Sequence, residues 1–333
     1  MKILVTGATG FVGSAVVRKL LADNKQVIVL SRAHSNQSNL KDLPVEIRTG
    51  DLTNAQSLIE ACANCDGLFH VAADYRLWTK NPRELYQNNV DGTRNLMVAA
   101  MEAGIEKIVY TSSVATLGVF ADGTISNEDT PVSLDDMVGH YKRSKFLAER
   151  VVDELVRFHK LPAIIVNPST PIGPRDIKPT PTGRIIYDAL RNKIPAFVDT
   201  GLNIAHVDDV ASGHLFAFDK GKIGRRYILG GDDMSLQEIL TTVAQYCGHR
   251  PPSIKLPRQV IYPIAWLGET WASLSNGPEP RATIDGLKMS RKKMYFSSAR
   301  AIAELGYRWR PAKESIVDAI EWFKTHQHDL IKP

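Results

Sequence analysis

The sequence lacks the features that mark membrane-spanning, secreted and disulfide-stabilised proteins. It has no uninterrupted apolar run of about 18 residues, which a transmembrane helix would need. It begins with a strand-like apolar pattern rather than a basic segment and an apolar leader, so we expect a cytosolic protein of bacterial type. Its three cysteines are too few for a disulfide framework. Cys62 and Cys65 have redox-pair spacing but precede a predicted strand, and we interpret them as core or surface thiols.

Strong charge patterning is also absent, as are internal repeats and low-complexity tracts. The net charge is +5, and 44% of the 333 residues are hydrophobic, which is enough to bury a full core. The one local concentration of positive charge lacks the interleaved aromatic residues of a nucleic-acid platform: Lys288, Arg291, Lys292 and Lys293. We therefore expect no nucleic-acid partner, and no metal site is predicted. The cluster is interpreted as a solvated face, with an anionic substrate or an anionic membrane surface as the alternative.

What the sequence does have is a glycine-rich turn near its start. An apolar run at residues 3–5 leads into Gly7, Gly10 and Gly13, and a helical apolar pattern follows. In such a turn one glycine permits the sharp bend, one admits a pyrophosphate, and one lets the helix pack on the strand. The free N–H groups of the first helical turn then face the phosphates. The pattern favours a dinucleotide site over a loop that merely needs positive φ angles. The predicted contacts are Gly7, Thr9, Gly10, Phe11, Val12 and Gly13.

The residue after the second predicted strand, residues 27–31, indicates which cofactor binds. An acidic side chain at this place grips the 2′-hydroxyl of NAD, whereas Arg32 stands here. Its guanidinium can stack on adenine and pair with a 2′-phosphate. We therefore predict NADP(H) rather than NAD(H), the alternative being an ordinary exposed arginine.

Two further strands predict cofactor contacts. The strand at 45–49 is followed by Asp51 and Leu52, and Asp51 would accept from the adenine amino group unless it belongs to a helix cap at Thr53 or Asn54. The strand at 67–71 runs into two small residues that leave space for the cofactor, and then into an aromatic and charged loop. These residues are Ala72 and Ala73 for the cofactor, and Asp74, Tyr75 and Trp78 for the substrate. The aromatic pair would otherwise cap the core.

Polar residues that suit proton transfer follow next along the chain. Tyr141 and Lys145 are four residues apart on a predicted helix over 141–159, so they share one face. An ammonium beside a phenol favours the phenolate, which would lower the tyrosine pKa toward working pH. The strand at 107–112 delivers Ser112 and Ser113 to the same sheet edge, and a helix opened by Asn81 and Pro82 carries Asn89.

The chain resembles the extended short-chain dehydrogenases/reductases, in particular their dihydroflavonol-4-reductase-like branch. It is most similar to the hopanoid-associated sugar epimerase group of bacteria. The glycine spacing is the one this family uses, and the likeness covers nearly the whole chain. The stretches that carry it are residues 69–78, 139–149, 167–183, 198–210 and 293–299.

This resemblance implies roles for single residues. It makes Ser113, rather than Ser112, the catalytic serine, Tyr141 the acid/base and Lys145 the residue that binds the ribose and lowers the tyrosine pKa. Asn89 becomes the fourth member, which positions water and backbone. Residues 167–169, with Pro168 and Ser169, would lie against the nicotinamide, and Asp208 matches a structural position. The resemblance also implies a homodimer through the helices at 82–103 and 141–159.

The fold expected is an α/β Rossmann-type doubly wound parallel sheet with a smaller, discontinuous α/β substrate domain. Residues 1–168 would form the NADP-binding domain, to which 204–230 return, and 169–203 with 231–333 would bind substrate. The proline-dense loop at 168–181 would cover the active site. Substrate contacts are predicted at Thr170, Arg175 and Arg184, beside Asp74, Tyr75 and Trp78.

Residues 258–275 predict a helix that is apolar on more than one face. Such a helix is usually buried or paired with a subunit. The alternative is contact with a lipid-like substrate or a membrane surface, which would make the protein peripheral at the inner membrane face.

Three functions stay open. The first is an NADP(H)-dependent oxidoreductase acting on a carbonyl or secondary alcohol of a small molecule, with a hopanoid or isoprenoid link implied by the resemblance. The second is an NAD(P)-dependent sugar or nucleotide-sugar epimerase or dehydratase, in which Arg175, Arg184 and Arg281 would grip a diphosphate. The third is a non-catalytic dinucleotide sensor, although such relatives typically lack the tyrosine and lysine that are present here.

Overall fold

A seven-stranded parallel sheet forms the centre of the molecule in the computed structural model, which describes residues 1–275, 280, 282–326 and 330. The strands follow the order β3-β2-β1-β4-β5-β6-β10, and all neighbours are parallel. The sheet comprises β1 (Lys2–Thr6), β2 (Gln26–Ser31), β3 (Glu46–Thr49), β4 (Gly67–His70), β5 (Lys107–Thr111), β6 (Ala163–Pro168) and β10 (Arg226–Leu229). The predicted Rossmann-type sheet is confirmed. The strand order reverses between β1 and β4, and ligands bind in the crevice at such a point.

Twelve α-helices surround the strands in the described part of the chain. They are α1 (Phe11–Ala22), α2 (Ala55–Cys62), α3 (Pro82–Tyr86), α4 (Gly92–Glu102), α5 (Gly139–His159), α6 (Pro181–Leu190), α7 (Val207–Lys220), α8 (Leu236–Tyr246), α9 (Arg258–Leu274), α10 (Ile284–Met289), α11 (Ala299–Leu305) and α12 (Ala312–Thr325). A π-helical turn, Gln87–Asp91, joins α3 to α4, so the single helix predicted from Pro82 is interrupted. None of the described helices combines the length and the apolar content that crossing a bilayer requires.

Alternation along the strands produces two separate cores, one on each face of the sheet. On β1, Ile3 and Val5 pack with α1 and α7, whereas Leu4 packs with α2, α4 and α5. Successive side chains of a strand point to opposite faces, so a strand that is apolar at every position must be covered on both sides. The apolar strands therefore account for the helices that lie on both faces of the sheet.

The second half of the chain adds two small sheets. One contains β7 (Thr170–Ile172), β9 (Gly201–His206) and β11 (Asp232–Ser235), and the other pairs β8 (Ala196–Phe197) with β12 (Ile254–Lys255). A third core joins the first of these sheets to α6, α8 and α12. The division into two domains stays a prediction, and its boundary at residue 204 falls inside β9. The loop predicted at 168–181 contains β7 and ends where α6 begins.

Candidate functional site

Two of the three turn glycines are required by the fold itself. Gly7 has a φ of +70°, and a Cβ there would lie 2.6 Å from the backbone nitrogen of Ala72. A Cβ on Gly13 would lie 2.1 Å from the carbonyl oxygen of Gly7. The turn after β1 therefore touches the end of β4, and α1 packs directly on the turn. A side chain at either position would separate these backbones.

Gly10 differs from the other two because the protein places almost nothing near it. It is exposed, and a Cβ there would meet only the Gly7 carbonyl oxygen, at 3.2 Å. Gly10 also precedes α1 as its N-cap without a capping side chain. The amino end of α1 is thus bare and approachable, which fits the pyrophosphate of a dinucleotide.

We expect Gly10→Ala and Gly13→Ala to separate cofactor binding from folding. Gly10→Ala should weaken dinucleotide binding by about tenfold or more, because the methyl group occupies the phosphate's approach. It should lower the melting temperature less than Gly13→Ala does, because its methyl group would meet a single backbone oxygen at 3.2 Å. Gly13→Ala should lower the melting temperature, because its methyl group meets backbone. Fluorescence titration and thermal unfolding measure the two effects, and equal destabilisation by both substitutions would contradict the distinction.

The residues after β2 and β3 lie where the adenosine is predicted. Arg32 is exposed, and its positive charge lies near enough to the Asp51 carboxyl to influence the pKa of that group. A hydrogen bond from the Thr53 side chain is the main factor that lowers the pKa of the Asp51 carboxyl, and Arg32 contributes in the same direction. Asp51 Oδ1 accepts from Thr53 N at 2.8 Å and from Thr53 Oγ1 at 2.6 Å. Asn54 is the N-cap of α2 and accepts from Ser57 N. The hydrogen bonds expected of a helix cap at Thr53 and Asn54 are therefore present in the structure. The contacts of Asp51 and Leu52 with adenine stay predictions.

The strand ends bring Ser113 and Tyr141 together. The Ser113 side chain lies close enough to the Tyr141 phenol to lower its pKa, whereas Ser112 donates its hydroxyl to Glu149 behind the sheet edge. Ser113 Oγ also accepts from Ala115 N at 3.1 Å, which fixes the direction of the serine side chain. The choice of Ser113 over Ser112 as the catalytic serine, implied by the family resemblance, stays a prediction.

Lys145 is buried beneath the same edge. Its Nζ donates to Thr111 O at 2.9 Å and to Tyr110 Oη at 3.3 Å. Burial lowers the pKa of Lys145 to about 8, and the Glu149 charge opposes this shift. Burial likewise raises the pKa of Tyr141, while the neighbouring Ser113 side chain acts to lower it. The prediction that Lys145 brings the pKa of Tyr141 below its ordinary value is therefore wrong for this structure, because burial outweighs any such effect.

Asn89 lies in the π-helical turn and is fully engaged with the protein. Its Oδ1 accepts from Asp74 N at 2.7 Å, and its Nδ2 donates to Asp74 O at 2.9 Å and to Ser144 Oγ at 3.0 Å. Ser144 Oγ in turn donates to Tyr141 O. Asn89 thus connects the loop after β4 to the helix that carries Tyr141, as expected of a residue that positions backbone.

A second polar cluster supports the serine from below, and the sequence reasoning did not single it out. Buried Glu149 accepts from Ser112, from Thr116 Oγ1 at 2.9 Å and from Asn167 Nδ2 at 3.1 Å, and it pairs with Arg226 Nε at 2.5 Å. Asn167 also donates to Ser113 O. The sequence did contain a sign that Glu149 belongs to the site. Glu149 follows Lys145 by four residues, just as Lys145 follows Tyr141, so the three residues share one face of the helix.

The predicted nicotinamide side contains unsatisfied polar atoms. Asn167 Oδ1 and Ser169 Oγ are buried and have no hydrogen-bond partner among the described residues. Pro168 is buried at the end of β6, and Ser169 N donates to Leu229 O. Because buried polar groups are usually paired, these two atoms fit a polar ligand such as the carboxamide of a nicotinamide. Ala72 is half-buried and Ala73 is exposed after the end of β4, and their contacts with a cofactor stay predictions.

The predicted substrate residues are distributed over two places. Trp78 lines a cleft of about 330 Å³ between the loop after β4, the start of α5, and helices α9 and α10. Asp74 lies in the same loop, paired with Arg76 at 2.6 Å, and Tyr75 is exposed. Thr170 and Arg184 are half-buried at the starts of β7 and α6.

Arg175 lies on the cofactor side instead. Its guanidinium pairs with Asp208, and its carbonyl oxygen accepts from Asn39 Nδ2, which also reaches Thr9 O at 3.2 Å. Arg175 therefore lies beside the glycine turn, and its contact with a substrate stays a prediction. Arg281 lies outside the described residues.

Residues 3–230 match the model of the NAD dependent epimerase/dehydratase family. The chain is 45% identical to a putative dihydroflavonol 4-reductase of Synechocystis, over 97% of this chain and 94% of the relative. It is 33% identical to sterol demethylase protein B of Methylococcus capsulatus, over 97% and 98% of the two chains. The crystal structure of gox2253 superimposes with a TM-score of 0.88 at 52% identity, covering 97% of this chain and 98% of that one.

Proposed function

Because the chain belongs to the NAD-dependent epimerase/dehydratase family, a group of extended short-chain dehydrogenases/reductases, we propose that it is an NADP(H)-dependent oxidoreductase. Members of this family are nicotinamide-dependent enzymes that act on small molecules. The proposed reaction moves a hydride to or from a carbonyl or secondary alcohol. One observation carries it: Ser113 and Tyr141 lie side by side at the sheet edge that also holds the bare amino end of α1.

The bound nicotinamide would supply or accept the hydride, and the side chains would manage the proton. In the direction of reduction, Ser113 would donate a hydrogen bond to the substrate carbonyl oxygen, and Tyr141 would protonate that oxygen as its carbon gains the hydride. Because the pKa of Tyr141 lies above its ordinary value, the phenol is protonated at neutral pH and has a proton to give. Lys145, with a pKa of about 8, carries its charge at neutral pH, where it would bind the ribose.

The preference for NADP(H) rests on Arg32. It follows β2, faces solvent, and occupies the place where an acidic residue would hold the 2′-hydroxyl of NAD. The substitution Arg32→Ala tests this, with Arg94→Ala, an exposed arginine on α4, as a matched control. Wild type and the control should bind NADPH about tenfold or more tightly than NADH, and Arg32→Ala should lose most of that preference. Fluorescence titration of the three purified proteins with NADPH and with NADH measures all six affinities.

The epimerase or dehydratase remains the second candidate, and the family's own name favours it. Such an enzyme would use Ser113, Tyr141 and Lys145 but would keep its cofactor through each turnover. The two candidates therefore differ in what the purified protein carries. Denaturation should release no dinucleotide from a reductase that exchanges cofactor, and stoichiometric NAD in the supernatant would overturn the reductase. The relative named a dihydroflavonol 4-reductase supports the reductase.

A further inference from the structure

His70, at the end of β4, is fully buried between two threonines from different elements. Its Nδ1 lies 2.7 Å from Thr6 Oγ1 of β1, and its Nε2 lies 3.0 Å from Thr93 Oγ1 of α4. Burial lowers the pKa of His70 to about 3, and the charge of Lys145 acts in the same direction. The imidazole is therefore neutral at physiological pH. A neutral imidazole has one donor and one acceptor nitrogen, so one threonine donates to it and the other accepts from it.

The bond to Thr6 connects His70 to the glycine turn. Thr6 is the last residue of β1, and its buried hydroxyl also accepts from Ala72 N at 3.2 Å. A Cβ on Gly7 would meet the backbone of Ala72, so this hydrogen bond lies where the turn touches the chain after β4. Buried polar networks whose members are all paired are rigid. His70 thus helps to fix the backbone junction beside the proposed pyrophosphate site.

The bond to Thr93 connects His70 to the residues that hold Lys145. Burial raises the pKa of Tyr110 well above its ordinary value, so its phenol is neutral, and the Thr93 side chain lies close enough to act in the opposite direction. The rings of His70 and Tyr110 pack with their centroids 5.6 Å apart. Because Tyr110 Oη accepts from Lys145 Nζ at 3.3 Å, the phenolic proton must point away from the ammonium. The neighbouring hydroxyl that can receive this proton is that of Thr93.

We propose that His70 is a positioning residue that joins the two halves of the candidate site. Through Thr6 it fixes the junction of the glycine turn. Through Thr93 it directs the phenolic proton of Tyr110 away from Lys145. A phenylalanine ring would fill the same space but would leave two buried hydroxyls unpaired. The ammonium is held by these contacts whatever the reaction is, whereas its role in binding the ribose rests on the proposed function.

His70→Phe tests this proposal, and His214→Phe is the matched control. His214 is also fully buried, its Nε2 lies 3.0 Å from Thr111 Oγ1, and burial lowers its pKa to about 4. Both substitutions should lower the melting temperature, because each leaves a buried threonine hydroxyl unpaired. Only His70→Phe should also weaken NADPH binding, by about threefold or more. It should lower the pKa of Lys145 by about half a unit, because the tyrosine oxygen is no longer a fixed acceptor for the ammonium.

Both quantities can be measured without turnover. Fluorescence titration gives the NADPH affinity, and the pH dependence of a ¹³C-labelled lysine resonance gives the pKa of Lys145. The resonance is assigned by its absence from the spectrum of Lys145→Met. The titratable groups that contact or flank the ammonium in the described chain are His70, Tyr110, and Tyr141 and Glu149 one turn to either side. All of them except His70 are the same in the two histidine variants.

Two threonine variants separate the two connections, since valine has the shape of threonine without the hydroxyl. Thr6→Val should weaken NADPH binding and leave the pKa of Lys145 unchanged, whereas Thr93→Val should do the reverse. These variants decide the matter if His70→Phe does not fold. The proposal is overturned if His70→Phe has the NADPH affinity and the lysine pKa of the control, or if both threonine variants change both readouts equally. A wild type that binds NADPH but reduces no ketone would contradict the proposed function without affecting this test.

Discussion

Tyr141→Phe is expected to bind NADPH with nearly wild-type affinity and to lose a factor of about 100 or more in kcat. Tyr141 is half-buried beside Ser113, so removing one oxygen atom leaves the packing intact but deletes the proton that the substrate oxygen would receive. Steady-state kinetics with a model ketone and fluorescence titration with NADPH separate the two effects. A substitution that weakened binding and turnover equally would point to a structural role for Tyr141.

One control variant and one further test variant sharpen this experiment. Tyr187→Phe removes a hydroxyl from α6 that accepts from Arg191 Nη1 at 3.3 Å and from no other described residue, and it should leave kcat unchanged. Ser113→Ala should lower kcat strongly, because Ser113 is the serine that meets Tyr141. Activity close to that of wild type in Tyr141→Phe would refute the assignment of Tyr141 as the proton donor, whatever the substrate proves to be.

Much of the central sheet and its helices could be predicted from the sequence, because these elements depend on contacts between residues that are close together in the chain. Strands that are apolar at every position require helices on both faces, and the glycine turn follows from backbone contacts at Gly7 and Gly13. The helix around Tyr141 was predicted to within two residues of its start. The π-helical turn that presents Asn89 was not predicted, because it arises from contacts with Asp74 and Ser144, distant in sequence.

The electrostatics of the site could not be obtained from spacing. Tyr141 and Lys145 share a helix face as predicted, but the lysine nitrogen is held by Thr111 and Tyr110 of β5. Burial, which no sequence window reports, then sets the direction of both pKa shifts. The same limit applies to α9. Its apolar stripe is visible in the sequence, yet only the packing of Ala265 and Ala272 tells which side faces outward.

Glu149→Gln is expected to move the alkaline limit of activity to lower pH. The negative charge of Glu149 raises the pKa of Lys145, which burial has lowered to about 8, so its removal must lower that pKa further. The lysine is charged below its pKa and loses its charge as pH rises through it. If the ammonium is needed to bind the ribose, kcat/KM should begin to fall at a lower pH than in wild type, by up to about one unit.

A purely structural role for Glu149 would give a different result, and Asp153→Asn provides the comparison. Both carboxylates pair with Arg226, so either substitution should lower the free energy of unfolding, by about 1–3 kcal/mol. Only Glu149 also holds Ser112 and Asn167 and acts on Lys145. The pH profile of Asp153→Asn should therefore match that of wild type. If the profile of Glu149→Gln matched it as well, Glu149 would stabilise the sheet edge without tuning the lysine.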